Sequence, residues 1–303
     1  MIRLWPVTQE HEGSRLDTAL ASLSGLSRAT CAGLIDQNCV LLNNKSVAKS
    51  ARVQFGDVIE ADFPDLDIQT PEPLVELPVL HQDEDVVVID KPAGVAAHSS
   101  PGWTGPTVIG SLEAMGHVLT AYGPAERKGI VHRLDVGTSG LMVVAKSERA
   151  YVSLKDQFRA RTVHKVYHTL VQGRLDPSRG TIDAPIDRHP SSSYRFAVLD
   201  SGRPSVTHYD TIDAFAYASL LEVHLETGRT HQIRVHMSAM RHPCCGDLTY
   251  GADPKLAAKL HLERQWLHAV ELGFEHAGTG EQVRFQSAYA PDLQAALEKV
   301  ADL

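Results

Sequence analysis

Four prolines, Pro64, Pro71, Pro73 and Pro78, fall among acidic residues between positions 63 and 79, and this stretch constrains the fold more than any other. Proline fixes φ and removes a backbone donor, so the segment can continue neither a helix nor a central strand. Its composition is that of a linker. It divides the 303 residues into a small block, 1–62, and a larger block, 80–303.

The small block has room for only a modest core. Leu16, Leu20 and Leu23 recur at i, i+4 and i+7, the spacing of a short amphipathic helix. Ser27 suits the N-cap of a second helix that turns Cys31, Leu34 and Ile35 inward. Residues 39–42, an Asn43-Asn44 turn and residues 45–47 read as a hairpin, and residues 58–61 as a further strand.

In the larger block the apolar run 86–89 is bounded by Asp85 and Asp90 and reads as a buried strand. Further β-rich segments lie at 141–145, 163–171, 206–212, 219–226 and 266–274. Helical patterns cover 107–115, 148–161, 230–241 and 292–301. Strands and helices do not alternate regularly, so the expected class is α+β with a mixed or antiparallel sheet.

With 29 Lys and Arg against 37 Asp and Glu, the net charge of −8 argues at first against a nucleic-acid partner. Its distribution argues otherwise. Residues 127–174 hold ten Lys or Arg and three acids, a local +7, which leaves −15 for the rest of the chain. Residues 60–90 hold ten acids and no Lys or Arg. A cationic segment in an anionic chain can grip a polyanion on one face while the remainder repels it. The plainer reading of 148–161 is a solvated helix face. Cys31, Cys39, Cys244 and Cys245 form no C-x-x-C pair, which fits a reducing, cytoplasmic setting and neither a disulfide framework nor a zinc site. No apolar run approaches the ~18 residues of a membrane span. Residues 1–12 lack the apolar core of an export signal.

Several common chemistries are missing. There is no phosphate-binding G-x-x-x-x-G-K-[ST] loop, no G-x-G-x-x-G dinucleotide turn and no H-E-x-x-H metal motif. Leu141 stands where a nucleophile elbow beginning at Gly137 needs glycine. His164 and His168 share a strand face but make a poor metal pair, and structural or RNA-contacting roles suit them better. The unusual stretch is residues 130–141, where His132, Arg133 and Asp135 precede Gly137-Thr138-Ser139-Gly140 and an apolar strand. Small turn residues let backbone approach a ligand, and a neighbouring guanidinium can aim a carboxylate. A buried Arg–Asp pair tying a loop would explain the tetrapeptide alone.

Other segments extend the pattern: Lys91-Pro92-Ala93-Gly94, Lys165-Val166-Tyr167, residues 225–236 with Gly228-Arg229-Thr230-His231-Gln232-Ile233-Arg234, residues 246–251 and Leu267-His268-Ala269. From about Leu80 to the C-terminus these closely resemble the RluA-type pseudouridine synthases, which isomerise uridine in ribosomal and sometimes transfer RNA. The small block is similar to the alpha-L RNA-binding module of the ribosomal-protein S-four type, through Arg15-Leu16-Asp17, the Ser27-Arg28 helix start and the Asn43-Asn44 turn. This layout looks most like members that act on large-subunit ribosomal RNA or its assembly intermediates.

The resemblance implies roles. Asp135 is the expected catalytic aspartate, Arg234 its partner, and Tyr167 the tyrosine at the uracil, with Leu267 beneath the base. Arg133 is expected to fill the gap left by the extruded uridine, and Lys91, His132, Arg229 and His231 to contact RNA. The reaction neither oxidises nor hydrolyses, so no cofactor and no metal are implied. A carboxylate can serve it as a nucleophile at C1′ or as a base at the 2′ proton. Val136-Gly137 departs from the charged or polar residues many relatives have there, which bears on one local RNA contact. A non-catalytic RNA-binding ribosome-assembly factor is the alternative. A glycoside hydrolase would need a second, paired acid that no motif supplies.

Overall fold

The computed structural model describes residues 2–62, 74–100, 103–190, 192 and 195–303. The chain divides into two compact units, Met1–Pro71 and Glu72–Leu303. Most of the expected linker, residues 63–73, lies outside the described residues.

In the first unit the strands β1 (Ile2–Pro6), β2 (Val40–Leu42) and β3 (Val58–Asp62) form an antiparallel sheet in the order β1-β3-β2. The helices α1 (Leu16–Ser24) and α2 (Arg28–Asp36) bury Leu16, Leu20, Cys31, Leu34 and Ile35 with Val40 and Ile59. Ser27 caps α2 by accepting the Thr30 amide, and Gly25 ends α1 in the left-handed region, φ 74°. Buried Asp17 is held down at about 2 by its bonds to Arg15 and then Arg28, which tie the start of α1 to α2. The expected hairpin is formed only at its turn, where Leu42 and Lys45 exchange backbone bonds at 2.8 and 3.0 Å. Asn43 and Asn44 do turn with positive φ, but only an isolated Leu42–Lys45 bridge follows. The Asn43 side chain bonds Asp57 and the Val58 amide, so the turn is tied to β3, which becomes the partner of β2.

The second unit contains β4 (Val79–Gln82), β5 (Val86–Lys91), α3 (Val108–Ala114), β6 (Ser139–Ala145), α4 (Glu148–Ala160) and β7 (His164–Gln172). After these come β8 (Arg179–Asp183), β9 (Ile186–Arg188), β10 (Phe196–Val198), β11 (Val206–Ala214), β12 (Ala218–Leu225) and α5 (Gln232–Ala239). The last elements are α6 (Pro254–Lys259), β13 (Leu267–Glu275), β14 (Gln282–Gln286) and α7 (Pro291–Ala301). Among the described residues, nine strands make one sheet in the order β4-β5-β6-β13-β7-β12-β11-β8, with β14 also on β13. Only β6 and β13 run parallel; β9 and β10 form a separate ribbon. This is the expected α+β class with a mixed sheet.

β5 and β6 are central strands buried on both faces, which their continuous apolar runs require. Val87, Ile89, Met142 and Val144 enter one core with Tyr167 and Leu221. The alternate residues Val86, Val88, Leu141 and Val143 enter another with Leu154 of α4 and Phe274. Ser147 caps α4, and Arg161, in the left-handed region at φ 63°, ends it.

The helix expected over 230–241 is shorter at both ends. The buried Gln232 carboxamide accepts the Arg229 amide and the Thr227 hydroxyl and donates to the Val206 carbonyl. This clamp holds 229–231 as a turn, with His231 at φ 57°, and delays the helix to Gln232.

The parallel β6–β13 contact is short, pairing Ser139 with His268 and Gly140 with Ala269. Gly140 has φ 111°, and a Cβ there would lie 2.4 Å from the Ala269 carbonyl oxygen. No flexible side chain can yield at that point. Gly140→Ala should therefore cost about 2–3 kcal/mol, lowering the melting temperature by roughly 5–10 °C in thermal unfolding. An unchanged melting temperature would show that this junction does not limit stability.

Candidate active site

The loop carrying Asp135 is fixed from several directions before it enters β6. The Thr138 amide closes a turn on the Asp135 carbonyl at 3.0 Å, and the Gly94 amide donates to the Val136 carbonyl at 2.8 Å. Arg264 donates to the Gly137 carbonyl at 2.9 Å, and Gln265 to the Thr138 hydroxyl at 3.2 Å. A Cβ on Gly137 would meet the Gln265 carboxamide at 2.6 Å. Glycine at 137 thus leaves room for the Gln265 carboxamide, whose end would have to shift for a larger residue.

α5 carries Arg234 to this loop. Its Nε and Nη2 donate to the two oxygens of Asp247 at 2.6 and 2.9 Å, a bidentate pair, and Nη1 donates to Asp135 Oδ2 at 3.2 Å. The guanidinium also lies over the Tyr250 ring, 4.9 Å from its centroid. Both Arg234 and Asp247 are buried. Burial works against the charge on Arg234, but Asp247 and then Asp135 more than offset it and push its pKa upward.

His231 is the second group at the carboxylate, with Nε2 3.9 Å from Asp135 Oδ2 and Nδ1 2.8 Å from the Tyr250 hydroxyl. That hydroxyl also accepts the Phe196 amide at 3.0 Å, which fixes the Tyr250 ring beside His231. Burial lowers the pKa of His231 despite the charge on Asp135, and the cations Arg234 and Arg133 act in the same direction.

Tyr167 on β7 and Leu267 at the start of β13 complete a cleft enclosing about 100 Å³ of free space. Burial, with the charge of Asp135, pushes the Tyr167 hydroxyl well above the ordinary phenol range, so it keeps its proton. Arg133 is exposed at the rim, and Arg229 lies beside it with Nε donating to the Pro204 carbonyl at 3.3 Å. Asp135, Tyr167, Arg234, Leu267, Arg133, Arg229 and His231 thus meet in one place.

Two expected RNA contacts are not placed for that role. Lys91 is fully buried, and its ammonium donates to the carbonyls of Pro92, Val95 and Val136 at 2.9, 2.9 and 3.4 Å. Its three donors are committed to backbone, and burial lowers it to about 7. Lys91 braces the Asp135 loop from behind, with its ammonium turned to these carbonyls rather than to the surface. His132 stacks on Phe158 at 4.7 Å and accepts the Val143 amide on Nε2. Burial lowers it to about 3, so it brings no positive charge to RNA.

The sequence alone points to no role for Asp247, Tyr250, Arg264 or Gln265. Asp247 and Tyr250 belong to the 246–251 motif, but their contacts to Arg234 and His231 cross a turn that spacing does not reveal. His168 bonds Tyr289 at 2.5 Å and faces Glu222 at 3.8 Å, a local polar cluster. Among the described residues one trio, Asp83, Asp85 and His276, comes close enough to hold a cation. It fits one poorly. Arg149 and Ser147 already bond Asp85, and His276 Nδ1 accepts two backbone amides while Nε2 faces Asp83 at 3.0 Å. Among the described residues no helix is long and apolar enough to cross a membrane.

Residues 85–239 match the family described as RNA pseudouridylate synthase, and residues 14–59 match the S4 domain. A Mycobacterium bovis protein named as an RNA pseudouridine synthase is 56% identical, covering 98% of this chain and 97% of its own. A Nitrosomonas europaea protein named ribosomal large subunit pseudouridine synthase D is 39% identical, covering 96% of this chain and 86% of its own. The solved structure of human RNA pseudouridylate synthase domain containing 1 is similar at a TM-score of 0.60 and 27% identity. It covers 73% of this chain and 87% of that one.

Asp247→Asn removes the charge that balances a buried guanidinium, and should cost about 3 kcal/mol, read as a lower urea midpoint. An unmoved midpoint would mean the pair does not hold α5 in place. His132 gives a pH signature. Its folded pKa of about 3 lies below its ordinary value of 6.5, so on acidification the unfolded chain takes up a proton that the folded chain refuses. Its contribution is fully present above pH 6.5 and is lost as pH falls towards 3. The stability gap between the wild type and His132→Gln should therefore narrow across that window; a constant gap would refute the assignment.

Proposed function

The chain belongs to the RNA pseudouridylate synthase family, and from that premise we propose that it converts specific uridines of large-subunit ribosomal RNA to pseudouridine in the cytoplasm, with Asp135 as catalytic carboxylate. The observation that carries this reading is the Asp135 carboxylate, aimed by Arg234 at 3.2 Å into a cleft lined by Tyr167 and Leu267.

The reaction breaks the N1–C1′ bond, turns the uracil, joins C5 to C1′, loses the C5 proton and returns a proton to N1. Composition is unchanged, so the chemistry asks the protein for orientation and proton handling. Attack at C1′ and removal of the 2′ proton both start from an aimed carboxylate at the ribose. Arg234 and His231 both approach Oδ2, and no hydrogen bond among the described residues engages Oδ1. Tyr167 keeps its proton in this environment, so it can donate to the base as well as pack against its plane. Leu267 supplies apolar contact from the adjacent strand.

A uridine in folded RNA must leave its stack before it can enter the cleft, at a cost of ~a few kcal/mol. In this reading Arg133 occupies the gap, which its exposure two residues before Asp135 supports. The S4 unit supports recognition of structured RNA outside the cleft. The names of relatives such as the Nitrosomonas protein support the large ribosomal subunit as the target.

Wild type and Asp135→Asn should be compared on unmodified large-subunit ribosomal RNA by pseudouridine mapping and RNA binding. The expected outcome is site-specific pseudouridine with wild type, and none with the variant, which still binds. Undiminished product from the variant would remove Asp135 from the mechanism, and release of free uracil would point to hydrolysis.

A further inference from the structure

Alternate side chains of β7 share a face of the sheet, so Lys165 lies about 7 Å along the strand from Tyr167 and on the same side. Tyr167 lines the Asp135 cleft and also a second groove of about 380 Å³ that Lys165 enters. The groove runs between the end of α4, the end of β12 and residues 131–133, with the Phe158 ring in its wall. It shares Arg133, Leu225, Gly228 and Arg229 with the cleft, so the two are continuous.

The charges in this groove are unbalanced. Arg159 pairs with Asp156 at 2.7 Å, and Arg161 reaches Glu226 at 3.5 Å, a carboxylate that His208 also contacts at 2.8 Å. Lys165 differs. Its side chain is half-buried, its ammonium lies 5.8 Å from the Phe158 centroid, and no carboxylate among the described residues lies within ion-pair distance. Burial lowers its pKa and the nearby Arg161 lowers it further, with no anion opposing them. Holding a partly desolvated cation beside a second cation is unfavourable unless an anion binds against both.

We propose that this groove binds the RNA strand next to the uridine in the cleft, and that Lys165 contacts a phosphodiester adjoining the target nucleotide. The inference rests on the function proposed above and extends it to the neighbouring nucleotide. The position fits, because the step from Tyr167 to Lys165 is comparable to the span of one extended nucleotide. The chemistry fits as well. An ammonium meets a single phosphate oxygen as a point charge, while Arg161 and Arg229 add positive potential along the strand. Glu226, already engaged by Arg161 and His208, leaves the net charge of the groove positive.

The test uses the full chain and the shortest ribosomal RNA fragment in which wild type forms pseudouridine. Single methylphosphonate linkages, which carry no charge, are placed at each of the three positions on either side of the target. In wild type, neutralising one linkage beside the target should weaken binding about tenfold. Lys165→Gln should weaken binding to unmodified RNA by a similar factor and be insensitive to that same linkage, while Lys165→Arg restores the sensitivity. The salt slope should fall by about 0.7 in Lys165→Gln, the share of one phosphate on a single strand. Thermal unfolding of each variant checks that the fold is intact. Equal linkage penalties in wild type and Lys165→Gln, or wild-type affinity in that variant, would overturn the groove assignment and leave the function standing. Failure of wild type to form pseudouridine in any ribosomal fragment would overturn both.

Discussion

The site depends on one buried guanidinium. Arg234 is shielded from water and is tolerable there because Asp247 takes two of its donors and Tyr250 covers its face. A charge buried this way requires a partner of good geometry, and Asp247 supplies it independently of Asp135. The bond to Asp135 is therefore a single contact from a group whose position is already set. Had Arg234 depended on Asp135 alone, a bidentate pair would engage both carboxylate oxygens and compete with substrate. Asp247 lets the same arginine aim the carboxylate while contacting only Oδ2.

The rest of the molecule brings these groups together from distant parts of the chain. Asp135 precedes β6, Tyr167 lies on β7, Arg234 on α5, and Leu267 opens β13. The parallel junction of β6 with β13 joins the β4-β5-β6 strands to the larger antiparallel set, and the Asp135 loop enters directly above it. His268 at this junction bonds Ser139 at 2.8 Å and Ser287 at 3.0 Å, and burial lowers it to about 4. It serves as a neutral connector, which a low-dielectric site requires. The site occupies a seam in the sheet, where side chains from both sets converge.

Much of this was legible in the sequence because it obeys local rules. The apolar runs of β5 and β6, the amphipathic stripe of α4 and the Ser27 cap are short-range signals, and the structure has them where the pattern puts them. The motif around Asp135 and the strand carrying Tyr167 were visible as well, since each is contiguous. What escaped depends on burial and on contacts between distant segments. Lys91 looks like an RNA-binding lysine until three carbonyls enclose it. His132 looks cationic until Phe158 and the Val143 amide surround it. The Asn43-Asn44 turn predicts a hairpin with its own neighbour, but that pairing stops at Leu42 and Lys45, and the longer pairing of β2 is with β3, later in the chain. Net charge misled for a related reason, since an average says nothing about which faces carry which sign.

The placement of Asp135 ahead of β6 also has a consequence in time. Every residue of β6 is buried, and the strand is bonded to β5 on one side and to β13 on the other. Local opening is costliest in such central strands, whose amides exchange with solvent only when the domain opens as a whole. The Asp135 loop is anchored to that strand at one end and to the Lys91 ammonium through Val136. The backbone beneath the carboxylate is thereby tied to the slowest-opening part of the domain rather than to a freely moving loop.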